Sequence, residues 1–566
     1  MNGPQLIECV PNFSEGRDLA IIKQITAAIE SVEGVKLLDV DPGKATNRTV
    51  ITFVGEPAAA VEAAFRAMQK ASELIDMSKH RGEHPRMGAT DVCPLIPIAN
   101  ISMEETAEWA RQLGERAGRE LGIPIYLYEQ AASKPEWQNL ATVRAGEYEA
   151  LPEKLAKPEW KPDFGPARFN AKAGATAIGA RNFLIAYNVN LNTSSVRRAN
   201  SVAFDVREKG RLKREGDPIN GPIVHDAQGE PVREAGACKA VKAIGWYIEE
   251  YGVAQISMNL TDIELTPLHI AFEACRQSAA RRGMRVTGSE LVGLVPLQVL
   301  LDAGKYFLRQ QQRSVGVSEA EIIKIAVKSL GLDELGPFDP AKKIIEYRLR
   351  EAQPNPLVGM SLSRFAVETA SESVAPGGGS VAAYVGALGA ALGTMVANLS
   401  AHRRIWDHRW AEFSDWAEKG QQAKDALLGL VDEDTRAFNR IIAAMRLPKG
   451  NDAEKKTRQE AIEQATQYAT EIPLRTMELA LQAFEVIKAM AAEGNPNSAS
   501  DAGVGALCAR AAVQGGYLNV RINAAGLKDR AFAEKVLAKA EGIAAQADVL
   551  EAEVLKIVRD KVDGGG

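Results

Sequence analysis

The chain has 566 residues, of which 46% are hydrophobic and 25% are charged. This balance is ordinary for globular proteins and excludes wholesale disorder, and at about 150 residues per domain the length excludes a single small domain. Lys and Arg together number 68 against 73 Asp and Glu, which gives a net charge of -5. No general basic surface is therefore expected to bind nucleic acid or an anionic membrane.

The five cysteines are odd in number and scattered along the chain. This distribution predicts neither a disulfide framework nor a paired-cysteine metal site, and it is typical of a reducing compartment. The N-terminal residues contain no basic segment followed by an apolar one, so we expect no signal peptide and a cytoplasmic protein. One uncharged run, Ser380 to Ala401, is long enough to cross a bilayer, but Ala and Gly dominate it. We predict a buried helix of a soluble domain there.

Up to about residue 335, short β-like runs alternate with helical runs, a pattern typical of α/β or α+β layers. The first predicted elements are a strand at Leu6–Val10, a helix at Asp18–Val32, strands at Val35–Val40 and Thr49–Gly55, a helix at Pro57–Ile75 and a strand at Val92–Ile98. The same βαββαβ order recurs after Asn182. We predict two α+β ferredoxin-like subdomains, residues 1–180 and 181–330, with a cleft between them.

Residues 331–359 are rich in proline and charge and are predicted to form a linker. Strands then disappear, and residues 360–562 are predicted to form an all-α helical bundle. In the uncharged run, the larger apolar residues recur every three or four positions, as in a helix; they are Val381, Val385, Leu388, Leu392, Val396 and Leu399. Small residues fill the other faces, so this helix needs neighbours on every side. A bundle shared between subunits of a homo-oligomer would supply them.

Four further helices are predicted in the bundle. Their approximate ranges are 407–446, 454–492 with an interruption at Pro473, 500–524 and 528–561. The interruption is expected because proline lacks the backbone N–H that a helix interior uses.

The segment 80–88 lies between a predicted helix and a predicted strand and collects His, Arg and Glu around Gly and Pro. His84 stands between Glu83 and Pro85, and the proline restricts the backbone of its predecessor. With a pKa near about 6.5, an imidazole exchanges protons at neutral pH, so His84 is a candidate acid/base. The alternative is a loop histidine with a structural hydrogen bond. His80, between two basic residues, is predicted at the surface.

The four-residue spacing of His80 and His84 raises the question of a metal site. Gly82 and Pro85 argue against the helix that would align both rings, and no nearby cysteine or third histidine completes a tetrahedral set. We therefore expect no metal at this segment.

Two other segments of the first half carry candidate binding residues. Asp41 and Arg48 occupy a turn between two predicted strands. They form either an ordinary polar turn or part of the cleft of His84, because the strands that follow Arg48 and His84 belong to one predicted sheet. The glycine-rich stretch Gly165–Gly174 lets backbone approach a flat or anionic ligand, or it is a flexible linker.

In the predicted bundle, a carboxylate interrupts an apolar stripe. The stripe consists of Leu427, Val431, Asp434, Phe438, Ile441 and Met445, at helical spacing. Asp434 thus occupies a core position, where burial would shift its pKa as in acid/base groups. Alternatively, Asp434 caps a neighbouring helix or pairs structurally. Asp432 is predicted on the opposite, solvated face.

Two more pairs in the bundle have both a functional and a structural interpretation. Asn519 and Asn523 share a helical face and either hold a heterocycle or satisfy buried backbone groups. Arg403 and Arg404 lie among two histidines and two tryptophans, which form either a local polyanion site or a solvated helix end.

Several strings resemble known families. ECVPNFSEG, LLDVDPGKATNRTVITFVG, HRGEHPRMGATDVCP and SELVGLVPLQ are similar to glutamate formimidoyltransferase. PGGGSVAA, LVDEDTRAFN, MRLPK, NSASDAGVGA and YLNVRIN resemble formimidoyltetrahydrofolate cyclodeaminase. Their order over nearly the whole chain is that of the bifunctional formimidoyltransferase-cyclodeaminase family. The second set is shared with methenyltetrahydrofolate cyclohydrolases, so cyclohydrolase activity is an alternative for the bundle.

The resemblance implies transfer of a formimino group from N-formimidoyl-L-glutamate to N5 of tetrahydrofolate. Ring closure to 5,10-methenyltetrahydrofolate with release of ammonia would follow. The family's catalytic histidine matches His84, and its bundle aspartate falls at Asp432 or Asp434, of which the stripe favours Asp434. Asp41 would orient the first site or tune its charge.

The resemblance also implies folate contacts. The family's folate-binding stretch corresponds to Gly165, Pro166, Ala167, Arg168, Phe169, Asn170 and Gly174. Lys449, together with Arg403 and Arg404, is a candidate for contacts with the glutamate tail of a polyglutamylated folate. Tetrahydrofolate would be the co-substrate, with no metal, no nucleic acid and no membrane involved, and the bundle domains would pair in a homo-oligomer. A non-catalytic folate-binding scaffold is the alternative from another class.

Overall fold

The computed structural model describes residues 5–44, 46–82, 85–216, 221–349 and 357–563. The chain divides into two compact units. The first unit consists of Met1–Ala303 with Ala326–Glu351, and the second of Gly304–Ile325 with Ala352–Gly566. The chain is thus a multidomain protein, as predicted, with sheets in the N-terminal part and helices in the C-terminal part.

The first unit begins with a seven-stranded mixed sheet. Its strands are β1 (Leu6–Cys9), β2 (Asn12–Phe13), β3 (Val35–Gly43), β4 (Arg48–Gly55), β5 (Thr90–Ala99), β6 (Ile125–Glu129) and β7 (Thr176–Ala180). Its helices are α1 (Leu19–Glu30), α2 (Pro57–Leu74), α3 (Met103–Leu121), α4 (Leu140–Val143) and α5 (Leu151–Leu155). At one edge of the sheet, β3 pairs with β4. Next to β4 lie β1 and β2, which both pair also with β5. Beyond β5, β7 pairs parallel to β5, and β6 pairs parallel to β7.

The two faces of this sheet differ in chemistry. Phe53 of β4 is fully buried in the apolar core that also contains residues of α1, α2 and α3. Side chains alternate between the two faces of a strand, so residues an odd number of positions apart lie on opposite faces. Arg48 is five residues from Phe53 and therefore lies on the opposite face. Asn12 and Asp41 are both cross-strand partners of Val50, two residues from Arg48, so they share its face.

The second sheet of the first unit has four antiparallel strands in the order β11-β12-β8-β13. Its strands are β8 (Ile185–Leu191), β11 (Val241–Ile248), β12 (Val253–Leu260) and β13 (Val286–Val292). The helices α6 (Val196–Val206) and α7 (Leu268–Ala280) connect them, and β9 (Arg211–Leu212) pairs with β10 (Arg233–Glu234) as a separate ribbon.

Four helices follow the second sheet in the chain. They are α8 (Leu297–Gln310), α9 (Glu319–Leu330), α10 (Pro340–Lys343) and α11 (Ile345–Leu349). The amide of Leu297 at the start of α8 donates to Glu346 Oε2 at 2.7 Å, so a carboxylate of α11 caps this helix.

The remaining helices belong to the second unit. They are α12 (Leu362–Thr369), α13 (Gly378–Ala401), α14 (Trp410–Met445), α15 (Asp452–Glu493), α16 (Ala499–Ala525) and α17 (Arg530–Asp563). In the part of the chain that the structure describes, α13 is the helix whose length and composition would allow it to cross a membrane, and 61% of its most apolar window is buried inside the protein.

The helix α13 packs through its small residues. A Cβ added at Gly389 would lie 2.8 Å from the carbonyl oxygen of Gly505 in α16, so glycine permits the close approach of the two helices. Among the larger residues of the predicted stripe, Leu388 and Leu399 are 43% and 46% exposed. Within one chain, the tight contacts are therefore made by the Ala and Gly face.

The predicted interruption at Pro473 is wrong, because α15 runs without a break through this proline. Proline cannot donate to the carbonyl four residues before it. That carbonyl belongs to Ala469, and it accepts a hydrogen bond from Asn523 Nδ2 of α16 at 2.8 Å. A side chain from a neighbouring helix thus replaces the missing backbone donor.

Candidate active sites

The loop that carries His84 is held from both ends. Glu83 and His84 themselves lie outside the described residues, so the prediction for His84 stays a prediction. On the N-terminal side, Asn47 Nδ2 donates to the carbonyl of Arg81 at 3.0 Å. A Cβ at Gly82 would lie 2.2 Å from the carbonyl oxygen of Thr46, so only glycine fits there.

His80 is part of this support and not a surface residue. Its side chain is buried, and its Nε2 lies 2.9 Å from the carbonyl oxygen of Asn47. Arg86 Nε donates to His80 Nδ1 at 3.3 Å. Burial lowers the pKa of His80, and the nearby Arg86 charge acts in the same direction. The prediction failed because the basic neighbours of His80 in sequence do not determine which way its ring points.

On the C-terminal side, Arg86 and Asp91 anchor the loop. The Arg86 guanidinium pairs with Glu149 at 2.6 and 2.8 Å and with Glu147 at 3.2 Å. Asp91 is almost fully buried; its Oδ1 accepts the amide of Met87 at 2.9 Å, and its Oδ2 lies 2.9 Å from the guanidinium of Arg144. The loop therefore begins on a hydrogen bond from Asn47 and ends on charged contacts.

Arg48 lies beside this support on the polar face of the first sheet. It donates a hydrogen bond to the side-chain oxygen of Asn12. Burial lowers the pKa of Arg48 to about 10, and the Asp91 carboxylate opposes that shift while the Arg144 charge adds to it. Asp41, on the same face, is half-buried. The structure thus places Arg48 in the network that supports the His84 loop, with Asp41 one strand away.

The glycine-rich stretch Gly165–Gly174 is an ordered loop joined to the same network. Gly165 and Gly174 both have positive φ angles, 81° and 69°. Asn170 Oδ1 accepts the amide of Ala173 at 2.9 Å. The carbonyl of Ala173 accepts the amide of Ala89 at 2.8 Å, directly after the His84 loop.

Within this stretch, some predicted folate residues are free to meet a ligand. Pro166, Ala167 and Arg168 are exposed, whereas Phe169 is half-buried against Tyr148, with ring centroids 5.4 Å apart. The interpretation as a flexible linker is therefore not supported by its contacts. Its exposed residues directly precede Phe169, whose partner Tyr148 is hydrogen-bonded to Arg86 of the same network.

The predicted carboxylate of the bundle, Asp434, lies on α14 against the beginning of α13. Its Oδ2 accepts the hydroxyl of Ser380 at 3.0 Å. A Cβ at Gly379 would lie 2.2 Å from Asp434 Oδ1, so this carboxylate occupies the space that glycine leaves open. Burial raises the pKa of Asp434, and the hydroxyl and amide of Ser380 oppose that shift.

The prediction that Asp432 is solvated is wrong. Its side chain is 3% exposed and accepts the backbone amides of Leu357 at 3.0 Å and Val358 at 3.2 Å. Each carboxylate oxygen of Asp432 accepts a hydrogen bond from a backbone amide, so this side chain has a structural role. The stripe argument failed here because it counted only one buried face, whereas the segment before α12 covers another.

The two asparagines have different surroundings. Asn519 Nδ2 donates to Gly515 O at 2.8 Å, and a Cβ at Gly378 would lie 3.5 Å from that nitrogen, so Asn519 is next to the beginning of α13 and the surroundings of Asp434. Asn523 instead satisfies the carbonyl of Ala469. Asn523 therefore fits the alternative in which the asparagine satisfies a backbone group.

Two of the three predicted tail-binding residues, Arg403 and Arg404, are not close to Asp434 within one chain. Arg403 and Arg404 follow the C-terminus of α13, about 34 Å from Ser380 at 1.5 Å per residue. Arg403 stacks on Trp406 and contacts Asn495 Oδ1 at 3.3 Å, while Arg404 and Lys449 are exposed. Among the described residues, no group of three or more His, Cys, Asp or Glu is arranged to hold a metal ion.

Comparison with known proteins covers almost the whole chain. Residues 6–181 match a family model described as formiminotransferase domain, N-terminal subdomain; residues 186–350 match formiminotransferase domain, and residues 361–542 match formiminotransferase-cyclodeaminase. A formimidoyltransferase-cyclodeaminase of Mus musculus is 44% identical over 552 residues, 97% of this chain and 98% of its own length. The chain belongs to the formimidoyltransferase-cyclodeaminase family.

Two other relatives each match one part of the chain. A glutamate formimidoyltransferase of Streptococcus pyogenes is 44% identical over 305 residues, 54% of this chain and 94% of its own length. A methenyltetrahydrofolate cyclohydrolase of Methylorubrum extorquens is 38% identical over 194 residues, 34% of this chain and 93% of its own length. The family predicted from the sequence strings is confirmed, and the chain is an enzyme of this bifunctional family.

Sequence reasoning missed several residues of the formiminotransferase half. Asn12 lies in the string ECVPNFSEG, which carried the resemblance, but no pattern connected it to Arg48. Arg144, Glu147 and Glu149 lie in the connection between β6 and β7, where the charge pattern RAGEYE was the available signal. Their partners are about 60 residues away in the chain.

Proposed function

We propose that the first unit transfers the formimino group of N-formimidoyl-L-glutamate to N5 of tetrahydrofolate and releases L-glutamate. A bond forms between N5 and the amidine carbon, and the bond from that carbon to the glutamate nitrogen breaks. His84 takes the proton from N5 and returns one to the departing nitrogen. The observation that carries this proposal is the family match over 97% of the chain, together with the support of the His84 loop at both ends.

In this proposal, the neighbours of His84 bind and orient the substrates. Arg48 offers a guanidinium to an anionic group of either substrate. Asp41 lies on the same sheet face and tunes the charge of the site. The exposed part of Gly165–Gly174 contacts the folate, for which Arg168 supplies a positive charge and the glycines allow close backbone approach.

We propose that the second unit converts 5-formimidoyltetrahydrofolate to 5,10-methenyltetrahydrofolate. N10 bonds to the formimino carbon, the bond to the terminal nitrogen breaks, and ammonia leaves. Asp434 accepts the N10 proton or protonates the leaving nitrogen. Its raised pKa supports this role, because a carboxyl that holds its proton more tightly can exchange it nearer to neutral pH. Asn519 lies close enough to the same helix terminus to contact the pterin.

Further features extend this proposal. The co-substrate is a polyglutamylated tetrahydrofolate whose tail meets Lys449, Arg403 and Arg404, and no metal takes part.

The exposed apolar residues of α13 and α16 support a homo-oligomer that pairs its helical domains; they include Leu388, Leu399, Leu518 and Ile522. Because Arg403 and Arg404 are far from Asp434 in one chain, pairing would let a partner subunit bring them together. The protein works in the cytoplasm, without nucleic-acid or membrane partners.

The domain organisation proposed from the sequence also stands as part of this proposal. Residues 1–180 and 181–330 form two ferredoxin-like subdomains, 331–359 a linker and 360–562 the cyclodeaminase domain. The family matches at 6–181 and 361–542 support the first and last of these divisions, whereas the match at 186–350 extends through most of the proposed linker. The strand order of the second sheet, β11-β12-β8-β13, supports the ferredoxin-like class.

A second candidate for the bundle is methenyltetrahydrofolate cyclohydrolase activity. The relative from Methylorubrum extorquens favours it, because that enzyme matches this half at 38% identity. In this reaction, water would add to the methenyl carbon, and no ammonia would be released.

One experiment with the full chain tests the proposal. The purified protein is given N-formimidoyl-L-glutamate and tetrahydrofolate, and glutamate, ammonia and 5,10-methenyltetrahydrofolate are measured. We expect equal amounts of all three. Absence of glutamate above the uncatalysed rate would contradict the transferase, while glutamate without ammonia would contradict the cyclodeaminase. Hydrolysis of supplied methenyltetrahydrofolate would establish the cyclohydrolase, and folate binding without any turnover would leave the scaffold alternative.

A further inference from the structure

One short segment touches both loops of the proposed transferase site. This segment, Arg144–Glu149, follows α4 in the connection between β6 and β7. Gly146 and Glu147 have positive φ angles of 79° and 56°, so the backbone makes a tight turn that a non-glycine residue seldom adopts. Such a conformation is retained where surrounding contacts determine it.

A buried lysine anchors the start of the segment. Lys154 is 7% exposed, and its Nζ donates to the carbonyl oxygens of Val143 at 2.8 Å and Ala145 at 2.7 Å. These carbonyls flank Arg144, whose guanidinium reaches Asp91. The segment is thereby tied to β5 at one end.

Tyr148, near the other end, contacts the His84 loop on one side. Its backbone amide donates to the carbonyl of Arg86 at 2.9 Å, and the Arg86 guanidinium carbon lies 6.0 Å from the centre of its ring. The adjacent residues Glu147 and Glu149 hold the same guanidinium by ion pairs. Arg86 is therefore surrounded by three consecutive residues of the segment.

The same tyrosine contacts the Gly165–Gly174 loop on its other side. Its hydroxyl donates to the carbonyl of Ala171 at 2.6 Å, and its ring packs against Phe169 with centroids 5.4 Å apart and an interplanar angle of 52°. Residues 86 and 171 are far apart in sequence, and the loops that carry them also meet through the backbone hydrogen bond from Ala89 to Ala173. Tyr148 contributes a side-chain link between them.

We propose that Tyr148 is a positioning residue of the transferase site, which sets the folate-contacting loop and the His84 loop relative to each other. This inference rests on the proposed function of the first unit. The tyrosine acts through other residues: the hydroxyl and ring position Phe169 and Ala171, while Glu147 and Glu149 position Arg86. Loss of the hydroxyl should affect folate binding, and loss of a carboxylate should affect the turnover step.

Three substitutions in the full chain separate these contributions. Tyr148→Phe keeps the ring contact and loses the bond to Ala171, so the KM for tetrahydrofolate should rise about threefold to tenfold with kcat within about twofold. Glu149→Gln should lower kcat about tenfold with little change in that KM, because Arg86 loses its bidentate partner. Tyr148→Ala should combine both effects and exceed either.

The controls use the same changes at exposed positions of the first unit. Tyr247→Phe on β11 and Glu153→Gln on α5 should leave both kinetic constants unchanged. Melting temperatures measured for all variants show whether each remains folded. A kcat that is higher in Tyr148→Phe than in Tyr148→Ala would show that the aromatic ring has a positioning role.

Defined results overturn the inference. It is wrong if Tyr148→Phe and Tyr148→Ala both keep the kinetic constants of the unmodified chain, whatever the effect of Glu149→Gln, or if all effects disappear once the fraction of folded protein is taken into account. A failure of the proposed function would look different, because the unmodified chain would then transfer no formimino group at all.

Discussion

The two proposed active sites differ in the elements that support them. The His84 loop is supported by ion pairs and hydrogen bonds from several strands and loops, including those of Arg86 and Asp91. Asp434 is held by a single helix terminus, through Ser380 and the space at Gly379. Loops need many tertiary contacts to define a position, whereas a packed helix pair defines one through its backbone. The two sites should therefore respond differently to substitution.

The largest expected effect separates the two chemistries. His84→Ala should reduce formimino transfer about 100-fold to 10,000-fold, because it removes the proposed acid/base. Ammonia release from supplied 5-formimidoyltetrahydrofolate should be unchanged. Glutamate and ammonia assays on the same preparation measure both rates, and a variant with wild-type transfer and folate binding would exclude His84 as the acid/base.

Asp434→Asn should have the converse effect. Ammonia release should fall about 100-fold or more while formimino transfer persists. Asp432→Asn serves as the comparison, because its carboxylate accepts two backbone amides and should chiefly stabilise the fold. A larger loss of ammonia release in folded Asp432→Asn than in Asp434→Asn would reverse the assignment.

The same Asp434 variant also tests a dependence of stability on pH. The pKa of Asp434 is raised in the folded chain, so the folded state holds this proton more tightly than the unfolded state. The unfolding free energy contributed by this group therefore falls as pH rises through its raised pKa. We expect Asp434→Asn to have a higher melting temperature than the wild type at neutral pH, with the difference disappearing in acid. An unchanged difference across pH would contradict this explanation.

A smaller effect is expected from crowding the second site without removing its carboxylate. Gly379→Ala places a Cβ where Asp434 Oδ1 now lies, so ammonia release should fall about tenfold to 100-fold through misplacement of the carboxylate. Gly542→Ala is the matched control on α17, since a Cβ there meets no atom within 4 Å. Equal activities of the two variants would show that Asp434 tolerates displacement.

The smallest expected effect concerns the helix packing behind the second site. Asn523→Ala leaves the Ala469 carbonyl without its side-chain donor and should reduce the free energy of unfolding by about 1–3 kcal/mol. In a Pro473→Ala background, a helical N–H becomes available to that carbonyl, so the same change should cost less. Denaturant unfolding of the four proteins measures the coupling, and equal costs in both backgrounds would contradict it.

Some features of the site followed directly from sequence patterns. The helical period placed Asp434 among apolar residues, and the structure finds it half-buried with a raised pKa. The same period did not reveal that Asp432 is buried, because its covering residues, Leu357 and Val358, precede α12 and have no periodic relation to α14. Phe438 of the same stripe is 42% exposed, so a pattern within one helix does not decide which of its residues other segments cover.

The network around the His84 loop was less accessible to such reasoning. The motif HRGEHPRMGA indicated a functional loop, but Arg86 finds its partners in Glu147 and Glu149, and His80 finds its partner in Asn47. These pairs join segments with no shared periodicity. These pairs could be identified only from a structure that gives the positions of the separate strands and turns.

By itself, the sequence determined the family, the alternation of strands and helices in the first part and the helical second part, and it proposed two candidate acid/base residues. These features depend on local motifs and on the strand and helix periods of two and 3.6 residues, which can be seen directly in the order of the residues. Only the tertiary structure decided that Asn523 replaces the donor missing at Pro473, that Asp432 is buried and that Tyr148 joins two distant loops. Each of these depends on contacts between segments far apart in the chain, and such contacts form only when the whole unit packs.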